Sequence, residues 1–66
     1  MIVWVVGETI RGQAWLMQGL FSSEDKAIAR CQSARNANFF VAPVTLDATL
    51  PDEEAVWPGA YYPEKT

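Results

Sequence analysis

Residues 2–6 read I-V-W-V-V, an unbroken run of β-branched and aromatic side chains. That composition suits a pleated strand, and the run is too short for a buried helix. A strand with one wet face alternates apolar with polar residues, whereas a run without alternation is covered on both faces. The stretch therefore predicts the middle strand of a sheet. The remainder of the chain must supply two flanking strands and two covers.

Size limits how this is done. A chain of 66 residues makes one domain, and at that length folding buries only about 60% of the unfolded surface. Such domains usually carry a staple. Cys31 is the sole cysteine and there is no histidine, which removes an intrachain disulfide and argues against a structural zinc site. An aromatic core or an oligomer is the remaining route to stability. Half of the residues are hydrophobic, with three Trp, three Phe and two Tyr, a composition that excludes disorder for the body of the domain.

The order of elements follows from local signals. The first strand is expected from about Met1 to Gly7, followed by a turn over residues 8–12 in which Gly7 and Gly12 let the backbone reverse. A second strand is expected over residues 13–19, with Trp15 and Met17 on one side and Ala14 and Leu16 on the other, weakened or bulged at Gly19. The S-S-E-D at residues 22–25 places an N-cap hydroxyl ahead of two acids, with Ser22 as the expected cap of a helix running to about Arg35. Ala27, Ile28, Cys31 and Ala34 fall on one face of that helix. Arg35 complements its C-terminus, and Asn36 or Asn38 can provide a left-handed exit. Residues 39–46, F-F-V-A-P-V-T-L, form the third strand, and Pro43, which has no N–H, assigns it to an edge or a bulge. The expected fold is α+β: a ββαβ body over residues 1–46, with a three-stranded antiparallel sheet in the order 2-1-3 and one helix on one face. Residues 47–66 follow as an acidic, aromatic C-terminal arm with at most one helical turn after Pro51, and the whole is one domain.

The net charge of −3 is divided unevenly. Up to Leu46, Glu8, Glu24 and Asp25 are balanced by Arg11, Lys26, Arg30 and Arg35. From Asp47 onward, Asp47, Asp52, Glu53, Glu54 and Glu64 face Lys65 alone. An acidic arm argues against direct nucleic-acid binding, which depends on clustered Lys and Arg. The ordinary reading of this run is a solvated tail; the functional alternative is an imitation of nucleic-acid charge toward a basic partner, with Asp47, Asp52, Glu53 and Glu54 as the candidate contacts. No basic leader precedes the apolar run, which is also too short to span a bilayer. A cytoplasmic, reduced setting is expected.

The succession W-L-M-Q-G-L-F-S-S-E-D-K-A-I-A-R-C, N-F-F-V-A-P-V-T-L and L-P-D-E-E-A-V-W-P-G-A-Y-Y-P resembles a group of very small proteins encoded by phages and prophages. The resemblance covers nearly the whole chain, and the W-P-G-x-Y-Y-P ending is its most specific part. It implies a protein that acts by binding host or competitor machinery, within the host cytoplasm. It brings no catalytic residues with it.

The inventory is unfavourable for an enzyme. Without histidine there is no ordinary general base at neutral pH, and neither a Ser-His nor a Cys-His pair can form. Glu53 and Glu54 are adjacent but diverge on a turn, where solvent keeps both ionised. Cys31 lies on the apolar helix face as a small core residue. No phosphate loop, metal cluster, cofactor motif or repeat is present, so catalytic, cofactor and metal sites are all expected to be absent.

The aromatic residues are the more informative set. Trp4, Trp15, Phe40, Trp57, Tyr61 and Tyr62 either fill the core or form an exposed patch, since Trp and Tyr are enriched at interface hot spots. Face counting places Val3, Val5, Ile28 and Cys31 between sheet and helix, and bulky Trp4, Trp15 and Met17 on the side away from the helix. The arm, with its Pro and Gly, is an imperfect lid there. A two-fold dimer is the expected remedy, with Trp4, Trp15, Met17, Trp57, Tyr61 and Tyr62 as candidate interface residues. Two alternatives stand beside this reading. One is a sponge for a nucleotide-like signal, with Arg11, Arg30 or Arg35 beside an aromatic pocket at a dimer interface; the other is a structural or assembly accessory of the virion.

Overall fold

The computed structural model describes residues 2–11 and 14–64, and at Glu54 the backbone alone. Met1 as a strand start, Gly12 in the turn, Gln13 at the head of the second strand and Lys65 therefore lie outside the described residues. Strand β1 (Ile2–Glu8) lies between β2 (Leu16–Phe21) and β3 (Phe39–Thr45) and is antiparallel to both. Helix α1 (Glu24–Ala34) connects β2 to β3, and one 3-10 turn, Glu54–Val56, lies in the C-terminal arm. The expected α+β body with strand order 2-1-3 is the fold observed.

Boundaries differ from expectation in three places. Strand β2 begins later and runs through Gly19, which pairs with Val6, to Phe21, which pairs with Trp4. Met17 pairs with Gly7, so Gln18 is the extra residue of a β-bulge. Its side-chain amide donates to Glu8 Oε1 (3.1 Å), and Glu8 Oε2 accepts from Asn36 Nδ2 (3.2 Å), so one carboxylate ties the bulge to the exit of the helix. The helix cap is Ser23 rather than Ser22: its Oγ accepts the Lys26 N–H at 3.3 Å. The left-handed exit falls on Arg35 (φ 52°), ahead of the asparagines. Asn36 instead accepts the Asn38 N–H through its Oδ1 at 2.9 Å.

The two faces of the sheet carry separate cores. Between sheet and helix lie Val6, Phe39 and Val41 with Ala27 and Cys31, flanked by Trp4, Phe21, Ile28, Ala34 and Tyr61. On the opposite face lie Val5, Phe40, Ala42 and Trp57, flanked by Trp15, Val44, Leu50, Ala60 and Tyr62. The expectation that Val3 and Val5 pack under the helix and Trp4 away from it is thus reversed. The small side chains of α1 leave room for the Trp4, Phe21 and Phe39 rings instead of being crowded by them. Gly7 fixes the parity, because it shares a face with Val5. A Cβ there would come within 2.6 Å of Phe40 Cζ and 2.8 Å of Trp15 Cε3, so the aromatic stack needs a glycine beneath it.

Candidate binding face

The arm returns along β3 and closes its outer edge. The Val41 N–H donates to the Tyr61 carbonyl (2.8 Å), and the Val41 carbonyl accepts from the Tyr61 N–H (3.0 Å). Two residues on, the same edge carries Pro43, which lacks an N–H, and its carbonyl accepts from Trp57 Nε1 at 2.8 Å. The Ala48 N–H donates to the Thr45 carbonyl at 3.0 Å. An exposed strand edge is a template for unwanted pairing, and here proline, an indole and the arm backbone occupy it.

From that edge the arm places one tyrosine on each side of the sheet. Tyr61 turns to the helix side, where its hydroxyl donates to Glu24 Oε2 at 2.6 Å. Burial pushes its pKa up to about 12, reinforced by the hydrogen bond to Glu24 and by that carboxylate's charge. Tyr62 lies on the other side against Phe40, with ring centroids 6.0 Å apart. Trp57 enters the same cluster, 5.9 Å from Phe40 and 5.4 Å from Trp15, and Trp15 meets Phe40 edge-on at 5.6 Å. Both indole N–H groups are satisfied, Trp15 by the Pro51 carbonyl at 2.9 Å and Trp57 by Pro43. A large apolar ring with a bonded polar tip is how tryptophan is accommodated in a small core.

This arrangement divides the candidate interface residues. Trp57 is 6% exposed and belongs to the core of its own chain. Trp15 and Tyr62 are half-buried beside it, Trp4 and Tyr61 are half-buried on the helix side, and Met17 is 51% exposed. The arm covers only the end of the face nearest Gly7 and Phe40. The other end is open: Leu20 (57%), Leu46 (51%) and Met17 stand around a groove of about 190 Å³ whose lining includes Val3, Val5, Val44, Leu50 and Asp47. Leu20 and Leu46 were not singled out from the sequence. The signal for Leu20 was its alternation with Phe21, obscured by the expected end of β2 at Gly19.

The acidic candidates separate as well. Asp47, with a left-handed φ of 73°, lines the apolar groove. Asp52 and Glu53 line a second hollow of about 300 Å³ with Thr9, Ile10, Ala14, Trp15 and Ala55. The position of the Glu54 side chain lies outside what is described. Among the described residues, none of the arginines proposed for a nucleotide pocket lines either hollow, although Arg11 directly follows Ile10 of the second. Arg30 lies over the Phe39 ring at 5.3 Å on the helix side, Arg35 caps the helix, and exposed Arg11 lies beyond β1. Cys31 is buried, and burial pushes its thiol pKa up, opposed by the Arg30 charge. Among the described residues no cluster of His, Cys, Asp and Glu suits a metal ion, and no helix is long and apolar enough to cross a membrane.

Fold and face together define a small α+β domain with an arm-sealed strand edge and a half-open apolar face. No protein-family model matches the chain, and neither curated proteins nor solved structures yield a match.

Proposed function

We propose that the protein works by binding another protein and blocking it, without chemistry of its own. The carrying observation is the exposed apolar rim of Met17, Leu20 and Leu46 around the groove that the arm leaves open. Contiguous apolar surface on so small a domain is where interaction sites are found. The resemblance to small phage and prophage proteins supports a partner in the host cytoplasm. A sponge for a nucleotide is less well supported, because the hollow beside Trp15 is walled by Asp52 and Glu53, which repel phosphate. The motive for a homodimer is reduced, since Trp4 packs on the helix side and Trp57 of the arm packs against Trp15.

The test compares immobilised wild-type chain with Leu20→Asp as baits in a bacterial host lysate, followed by inhibition assays on the retained protein. A protein retained and inhibited by the wild type but not by the folded variant is the expected result. Equal retention and inhibition by both baits, or heat release of a bound nucleotide from the purified chain, would contradict the proposal.

A further inference from the structure

The groove also carries information about what enters it. We infer that it takes the apolar side of a cationic amphipathic segment of the partner, a conclusion that rests on the binding function proposed above. The floor is supplied by Val3, Val5 and Val44, and the exposed rim by Met17, Leu20 and Leu46. Its volume, about 190 Å³, suits one or two aliphatic side chains of a helix or strand rather than a folded surface. Met17, unbranched and polarizable, lets the rim adapt to the shape of the entering group.

Charge decides the sign of the segment. Asp47 lies in the groove wall, whereas Asp52 and Glu53 line the separate hollow beside Trp15 and add to the negative charge of the arm. None of these three carboxylates has a hydrogen bond or ion pair from its side chain among the described residues. Arg30 lies across the sheet over Phe39, and Arg35 caps the helix on that same side. No residue of β2 is charged. A segment with leucine-like anchors and a flanking Lys or Arg therefore meets apolar surface and the unpaired Asp47 carboxylate together. A second copy fits less well. Apposition of two grooves would bring together chains that each carry a net charge of −3. Nucleic acid and anionic lipid are disfavoured by Asp47 in the groove wall and by the chain's net charge of −3.

The test uses fluorescein-labelled peptides of equal length in anisotropy titrations against the intact chain. One carries two leucines four residues apart among lysines, the second replaces the lysines with glutamates, and the third replaces the leucines with serines. Binding of the first peptide alone is expected. Its affinity should fall about tenfold or more in Leu20→Asp, where a charge enters the apolar rim. It should fall severalfold in Asp47→Lys and remain unchanged in Gln32→Ala on the exposed side of α1. Circular dichroism establishes that each variant folds.

Equal binding of the leucine–glutamate peptide, insensitivity to Leu20→Asp, or no binding at all would overturn the inference. If no peptide binds while the lysate partner is still lost with Leu20→Asp, the binding function survives and only the cationic class falls. A dimer mass by light scattering that Leu20→Asp reduces to a monomer would also overturn it, by making a second copy the occupant.

Discussion

Trp57 offers the sharpest test of how so short a chain holds together. Its ring is 6% exposed, contacts Trp15 and Phe40 at centroid distances of 5.4 and 5.9 Å, and donates its N–H to the Pro43 carbonyl. Truncating a buried Trp to Ala costs about 3–5 kcal/mol through lost transfer energy and the cavity left behind. A domain of this length has a total stability of roughly 3–10 kcal/mol, so Trp57→Ala should remove between a third and all of it. Trp57→Phe retains most of the ring packing but leaves the Pro43 carbonyl without its indole donor, at a cost of about 1–2 kcal/mol. With a urea slope near 1 kcal/mol/M for a chain this small, that is a midpoint shift of about 1–2 M. Equilibrium urea unfolding followed by far-UV circular dichroism supplies both values, and near-UV dichroism reports the packing of the indoles. If Trp57→Ala left the midpoint and the near-UV spectrum unchanged, the arm would not be part of the core and the reasoning would fail.

Three further outcomes follow from other contacts. Gly7→Ala should cost about 1–3 kcal/mol in the same urea assay, because its Cβ must displace the Phe40 and Trp15 rings. An unchanged midpoint would mean that the rings do not stack there. Tyr61 has a folded pKa of about 12 against an ordinary value of 10. Its contribution to stability is therefore complete below pH 10 and lost as the pH rises toward 12. Cys31, whose raised pKa has the same sign, adds to this loss at alkaline pH. Tyr61→Phe should flatten the fall in stability between those pH values, and an unaltered profile would refute the linkage. The Cys31 thiol should react with a thiol reagent far more slowly in the native chain than in urea; equal rates would contradict its burial.

Much of the fold was legible because it rests on short-range chemistry. The unbroken run at residues 2–6 marks β1 as the central strand, Pro43 lies on an outer edge, and the S-S-E-D acids open α1. The orientation of the faces was not legible from alternation, which says which residues share a side but not which side meets the helix. Trp4 was assigned by bulk, whereas the structure uses large rings from the sheet against small residues from α1. Gly7 held the missing information, but only together with the position of Phe40 across the sheet, a pairing of distant segments. For the binding face, Met17 was legible as a bulky residue of β2. Leu20 was hidden because Gly19 reads as the end of that strand, whereas it pairs with Val6 beyond the bulge at Gln18 and the strand continues to Phe21. The roles of Trp57 and Tyr61 depend on a return of the arm to β3 that Pro and Gly permit but do not encode.

The central claim is that a partner protein is engaged by the half of the arm-side face left uncovered. Site-specific photo-crosslinking in bacterial cells tests it most directly. A benzophenone side chain is placed in separate chains at Leu20 on the groove rim and at Gln32 on the outer side of α1, both exposed positions. A discrete protein adduct from position 20, absent from position 32 and weakened when Asp47→Lys is added, is the predicted result. Adducts from position 32 with none from position 20 would place the binding surface on the helix and contradict the account.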